Sequence, residues 1–146
     1  MELQNVERLF RASDHNFSAD AFHNHCDLKE NTLVLVRTEF GKTIGGYTPY
    51  PWPSKYNDYD WIYDDDKRNF LFSLDMEEKF IPWCSYSFRA DYCSGGPAFV
   101  DDLCIVDGCN NNTKSLSSFP FTFNRAGEDK LKISEEVRRM FIGGDT

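Results

Sequence analysis

The longest purely aliphatic run in this 146-residue chain is Leu33 to Val36, far short of the ~20 apolar residues that a bilayer-spanning helix requires. The start, Met1-Glu2-Leu3-Gln4-Asn5, has neither the basic residues nor the apolar stretch of a secretory signal. The expectation is therefore a soluble, cytoplasmic protein. Positive charge is also scarce: 16 Lys and Arg face 24 Asp and Glu, a net of −8, with the acids spread along the chain. Nucleic acid and anionic lipid are disfavoured partners, because both are held by basic patches. Cysteines are few and odd in number. Cys26, Cys84, Cys93, Cys104 and Cys109 show no framework spacing, so reduced thiols in a reducing compartment are expected. There the sequons Asn16-Phe17-Ser18 and Asn111-Asn112-Thr113 stay unmodified.

Aromatic surface, by contrast, is plentiful. The 13 Phe, 7 Tyr and 3 Trp supply enough bulk to bury a core at this length. With roughly 150 residues per domain as a guide, residues 1–146 are expected to form one domain. No internal repeat interrupts the series of short elements.

Leu3, Val6, Leu9 and Phe10 recur at helical spacing and predict a short amphipathic helix. A second helix is predicted over residues 19–26. Ser18 caps it, Asp20 lies in its positive first turn, and Phe17 can staple against Phe22. Leu33-Val34-Leu35-Val36 then reads as a strand covered on both faces. Gly41 supplies a hairpin turn, and residues 43–48 return as the partner strand. Gly45 and Gly46 inside that strand mark a bulge, a bend, or a place where another group approaches closely.

Residues 49–68, rich in Pro, Trp, Tyr and Asp, read as a long surface loop. Alternation in residues 70–74 predicts a strand that turns through residues 75–78 towards Lys79-Phe80-Ile81. Further strands are expected at residues 85–88, 103–106 and around Phe119, Phe121 and Phe123, the last limited by Pro120 to an edge or a strand start. Leu131 and Ile133 suggest a closing strand, followed by a short helix that Ser134 caps and Gly143 terminates. Many short strands with few helices imply a mostly β, α+β fold: a two-layer antiparallel β-sandwich with helices at its flanks.

Chemical motifs are weak. His23, His25 and Cys26 invite a zinc reading, but His25 is turned away from the face that His23 and Cys26 share on a helix. Cys26 as a nucleophile sits at the negative C-terminal end of its helix, where a thiolate is disfavoured. The cluster Asp58, Asp60, Asp64, Asp65 and Asp66 misses the calcium-loop pattern and reads as a solvated loop face. Gly41-Lys42-Thr43 imitates a phosphate-binding loop, yet Val36 occupies the position of the earlier glycine. Asp101 and Asp102 point to opposite faces of an extended backbone and cannot act as an acid/base pair. No catalytic, cofactor or metal site is expected.

Several segments nonetheless occur together in a distinctive order. They are Phe17-Ser18-Ala19-Asp20-Ala21-Phe22-His23-x-x-Cys26-Asp27, then Thr32-Leu33 through Phe40-Gly41-Lys42-x-x-Gly45-Gly46-Tyr47-Thr48, then Trp52. Phe70-Leu71-Phe72-Ser73-Leu74 and Gly96-Pro97-x-Phe99-x-x-Asp102-Leu103-x-Ile105 follow. Over residues 5–135 this order resembles the TLDc domain family. Ile44 stands where the family usually has Phe, Val100 where a glycine is usual, and the stretch after Phe123 is short and poorly matched. The resemblance implies a β-sandwich flanked by helices, a role in resistance to oxidative stress, and binding of the vacuolar proton-pumping ATPase. It implies no established catalytic residues. On this basis the expected function is a noncatalytic protein-interaction domain whose protein partner is the soluble sector of that pump. Gly45, Gly46, Tyr47, Tyr50 and Trp52 are the candidate partner-binding residues, the glycines leaving a low strand surface beside the aromatics. The alternative role for these aromatics is to cover the sandwich. The alternative function is a thiol-dependent antioxidant or a hydrolase using Cys26 and His23.

Overall fold

The first sheet is organised by a tight hairpin. The Thr38 N–H donates to the Lys42 carbonyl at 2.9 Å and the Gly41 N–H to the Thr38 carbonyl at 3.0 Å. Gly41 takes φ 77°, a left-handed value that costs an L side chain about 1–2 kcal/mol. The turn joins β1 (Thr32–Arg37) to β2 (Thr43–Thr48) in the register Leu33↔Tyr47, Leu35↔Gly45 and Arg37↔Thr43. This computed structural model describes residues 5–54, 62–83, 86–88, 95–99, 102–111, 115, 123 and 124.

Among the described residues there are nine strands and one α-helix, α1 (Ala19–Cys26), and every strand pairing is antiparallel. The remaining strands are β3 (Ile62–Tyr63), β4 (Phe70–Ser73), β5 (Glu78–Pro82), β6 (Tyr86–Phe88), β7 (Ala98–Phe99), β8 (Leu103–Cys104) and β9 (Phe123–Asn124). They form a five-stranded sheet, β1-β2-β4-β5-β9, and two small ribbons, β3-β6 and β7-β8. The chain is thus mostly β.

Helix α1 forms where its local signals place it. Ser18 accepts a hydrogen bond from the Ala21 N–H at 3.3 Å, and Asp20 occupies the first turn. Its buried side, Phe22, His23 and Cys26, faces the core. The expected earlier helix does not form. Residues 5–11 are irregular and a 3-10 helix covers Ala12–His15. Leu9 and Phe10 pack on the core while Val6 is 77% exposed, so the apolar stripe is too short to hold a helix. Ser13, Asp14 and Asn16 also compete with helical backbone bonds. Leu3 lies outside the described residues.

Strand β1 is also corrected. Among the described residues it is an edge strand, its residues alternating between half-buried and exposed, with Leu33 at 55% and Leu35 at 61% exposure. The strand has apolar side chains on both sides, but only the Val34 and Val36 side packs against the core.

The inner face of the sheet presents Val34, Val36, Ile44 and Leu71, with Phe80 of β5. Across it runs a series of edge-to-face rings. Phe10 meets Phe22 at 5.7 Å, Phe22 meets Trp52 at 5.3 Å, Trp52 meets Phe99 at 5.8 Å, and Phe99 meets Phe123 at 6.5 Å between centroids. Each such pair adds about 0.5–1.5 kcal/mol beyond burial alone. The series ties the N-terminal segment, α1, the segment after β2, β7 and β9 to one sheet face.

Two glycines make room for this packing. A Cβ on Gly46 would lie 2.5 Å from Phe99 Cζ, and one on Gly45 would lie 2.6 Å from Phe72 Cζ and closer still to the Val34 carbonyl oxygen. Adjacent strand residues face opposite sides, so Gly46 seats a ring on the inner face and Gly45 seats one on the outer face.

The segment over residues 49–68 is more than a surface loop. Trp52 is buried, bridges in parallel to Asp27, and donates from Nε1 to Thr32 Oγ1 at 2.7 Å. Ile62–Tyr63 pairs with β6. The expected strand at residues 103–106 is confined to Leu103–Cys104, which pairs with β7. The expectations for Phe119–Phe121 and for residues 131–143 fall outside the described residues.

Seating a ring on Gly46 generates a prediction. Gly46→Ala lowers stability by roughly 1–3 kcal/mol through overpacking, read as the urea midpoint, and adding Phe99→Leu recovers part of the loss. Equal stability of Gly46→Ala and wild type contradicts the packing.

Candidate interaction site

The five candidate residues are divided among three environments. Trp52 is 1% exposed and belongs to the core. Gly45 and Gly46 are buried beneath Phe72 and Phe99. The low strand surface expected at this pair is therefore filled by the protein's own rings, because the missing Cβ atoms leave space that two phenylalanines occupy. Tyr47 and Tyr50 are half-buried and are the two of the five that present side-chain surface.

Tyr47 stands on the outer face of the sheet, stacked on Phe70 with centroids 5.1 Å apart and planes 26° apart. Its hydroxyl donates to Asn31 Oδ1 at 3.1 Å. The Lys79 ammonium sits 4.2 Å from the Phe70 ring centroid, and Phe72 lies 6.3 Å beyond Phe70. A short aromatic ladder with a cation at one end results.

Tyr50 belongs to a different corner. Its hydroxyl donates to Asp64 Oδ1 at 2.9 Å, and the Arg68 guanidinium lies 4.9 Å from its ring centroid. Asp64 Oδ2 accepts from the Asn69 backbone N–H at 2.7 Å and from Asn69 Nδ2 at 2.9 Å. Asp64 is fully buried while Asp65 and Asp66 are exposed, which corrects the reading of the acidic cluster as a solvated face. Asp58 and Asp60 lie outside the described residues. Burial pushes the Asp64 carboxyl up, but bonds from the Asn69 and Arg68 backbones and from the Tyr50 and Asn69 side chains outweigh it and hold the group below its ordinary value. Burial in turn raises the Tyr50 phenol against the pull of Arg68. The sequence signal for this corner is an Asp at the first position of a β-turn, where Asp is favoured: the Lys67 N–H donates to the Asp64 backbone carbonyl at 3.0 Å.

The thiol candidates occupy the other side of the core. Cys26 is buried, and its thiol is pushed up to about 11, first by burial and then by the Asp27 carboxylate. His23 Nδ1 lies 2.7 Å from Asp27 Oδ1, so its nearest charged neighbour is a carboxylate. His25 is turned away, as its position on the helix requires: Nδ1 lies 2.7 Å from the Ala21 carbonyl oxygen and the ring packs 4.6 Å from His15. Among the described residues no group of three or more His, Cys, Asp or Glu is arranged to hold a metal ion. Asp102 is fully buried and accepts from the Phe123 N–H at 3.2 Å, a bond that ties β9 to the turn before β8. Asp101 lies outside the described residues. Among the described residues no helix is long and apolar enough to cross a membrane.

The chain is mostly β, with half-buried aromatics on the outer face of its main sheet and its candidate thiol buried. The family model of the TLDc domain matches residues 1–136, and the chain belongs to the TLDc domain family. Neither a curated protein nor a solved structure matches it.

Two predictions follow from these geometries. Asp64→Ala removes the buried acceptor of the Tyr50 hydroxyl and of two Asn69 N–H groups and lowers stability by about 2–4 kcal/mol near neutral pH. A carboxyl whose folded pKa is lowered contributes stability above its unfolded pKa and loses it as pH falls through the folded value. The gap between wild type and Asp64→Ala in denaturation midpoint therefore narrows as pH drops below the ordinary carboxyl value of 3.8, and a gap independent of pH contradicts the assignment. Cys26, with a thiol near 11, has a thiolate fraction of about one in a thousand at pH 8, so iodoacetamide labels it far more slowly in the folded than in the unfolded protein. Equal rates would show an accessible thiolate.

Proposed function

We propose that this TLDc domain is a noncatalytic protein-interaction module. It acts in the cytoplasm in resistance to oxidative stress, and it binds the soluble sector of the vacuolar proton-pumping ATPase. The observation that carries this reading is the family match over residues 1–136. The domain occupies residues 1–146 as one unit and forms a two-layer antiparallel sandwich. Support for the second layer comes from β7, whose Phe99 lies on Gly46 of the five-stranded sheet.

In this proposal Tyr47 and Tyr50 contact the partner, and Gly45, Gly46 and Trp52 support them from beneath. Rigid aromatics held by packing lose little entropy on binding, which suits them as anchors. The rival reading, a thiol-dependent antioxidant or hydrolase using Cys26 and His23, is disfavoured by the burial and raised pKa of the thiol.

Capture of the purified soluble sector tests the proposal. Wild type retains it, whereas Tyr47→Ala and Tyr50→Ala, shown to be folded, retain it about tenfold less well, as loss of an anchor worth over 1 kcal/mol requires. No capture by folded wild type removes this partner. Capture undiminished in both variants moves the site elsewhere.

A further inference from the structure

The outer face of the five-stranded sheet carries a charge pattern opposite to that of the whole chain. Register places Leu35, Gly45, Phe72 and Lys79 in one row across β1, β2, β4 and β5. Leu33, Tyr47 and Phe70 form the next row, and Arg37 with Thr43 the row on the other side. Leu74, 58% exposed, follows Phe72 on the same side, its N–H bonded to the Thr43 carbonyl at 2.9 Å. The charged residues that these four strands turn to this face are Arg37 and Lys79, because Glu78 pairs with Ser73 on the inner side. Asp75, in the turn after β4, places Oδ2 at 2.6 Å from the Thr43 N–H at the end of the face.

An apolar strip between two cations, in a chain of net charge −8, is not explained by packing among the described residues. Leu33 and Leu35 are more than half exposed, and exposed edge strands are ordinarily guarded by charge rather than by leucine. We infer that this face docks an acidic amphipathic helix of a partner protein. Such a helix would lay its apolar side on Leu33, Leu35, Tyr47, Phe70 and Phe72, with carboxylates at its margins reaching Arg37 and Lys79. The dimensions agree. Strands spaced about 4.8 Å apart put β1 and β5 about 14 Å from each other across the sheet, and a helix with its side chains is about 10–12 Å across. A second copy of the chain is the poorer occupant, since a face-to-face pair sets these cations against each other. Two cations are also fewer than the 4–8, roughly, of a lipid-binding cluster.

This inference rests on the reading of the chain as a protein-interaction module, and its test does not involve the proton pump. The probe is a synthetic helical peptide of leucine on one side and glutamate on the other, titrated into the full chain. A peptide with lysine in place of glutamate is the control. The glutamate peptide binds saturably and shifts the amide resonances of Leu33, Leu35, Tyr47, Phe70 and Phe72, while the lysine peptide binds at least tenfold more weakly. Lys79→Glu abolishes that preference, since Arg37 then faces a carboxylate, and Leu35→Lys weakens binding of the lysine peptide further. Absence of saturable binding, equal binding of both peptides, or shifts confined to other strands overturns the inference. So does self-association through this face in ultracentrifugation, or binding to phosphatidylserine vesicles that Lys79→Glu abolishes without affecting the peptide. Failure to capture the pump alongside selective peptide binding would remove the named partner and leave the face standing.

Discussion

The structure depends on one contact, the Phe99 ring seated on Gly46. It brings the β7-β8 ribbon against the five-stranded sheet and places Phe99 between Trp52 and Phe123. Trp52 then carries the contact outward: its ring meets Phe22 of α1, its indole N–H bonds Thr32 at the start of β1, and its backbone bridges Asp27. A helix, a ribbon and a sheet with little regular structure between them are thereby held by rings that interlock edge to face. Dense packing of this kind tolerates little added volume, so the glycine is as much a core residue as the ring above it.

The same strand divides inside from outside. Gly45 faces the opposite way and seats Phe72, which continues into Phe70, Tyr47 and the Lys79 ammonium. One pair of adjacent glycines thus fixes an interior series of rings and an exterior ladder at once. The exterior ladder borders the exposed leucines of β1, and together they leave apolar surface open on that sheet face. The Tyr50–Asp64–Asn69 corner holds the chain after β3 by bonds to one buried carboxylate. It is a structural anchor for that segment.

Local signals in the sequence were legible where the local chain decides the outcome. Ser18 and Asp20 define the start of α1, Gly41 defines the hairpin, and the pair Gly45-Gly46 marks a close approach, which the two rings supply. Tertiary context decided the rest. Leu33-Val34-Leu35-Val36 reads the same whether one face or both are covered, and only the position of β1 at the sheet edge distinguishes them. Asp64 reads as one more acid in a polar run, because its burial depends on donors from Tyr50 and Asn69. Trp52 looks like an anchor on a loop and is instead the centre of the core. In the N-terminal segment Leu9 and Phe10 do pack inward, but helical spacing of four apolar residues is too little to impose a helix against polar neighbours that favour turns. On the outer face of the sheet, the sequence singles out β2 and Tyr47 but not Phe70, Phe72 and Lys79, because cross-strand neighbours are fixed by register, which no local pattern states.

Proton NMR of the intact chain reads directly whether a phenyl ring lies on the Gly46 backbone. Nuclear Overhauser contacts are expected from the Gly46 α-protons to the Phe99 ring, and from that ring to the Trp52 indole, with the Gly46 α-protons shifted upfield by the ring current. Gly46 α-protons at random-coil positions, with no contact to Phe99, would contradict it.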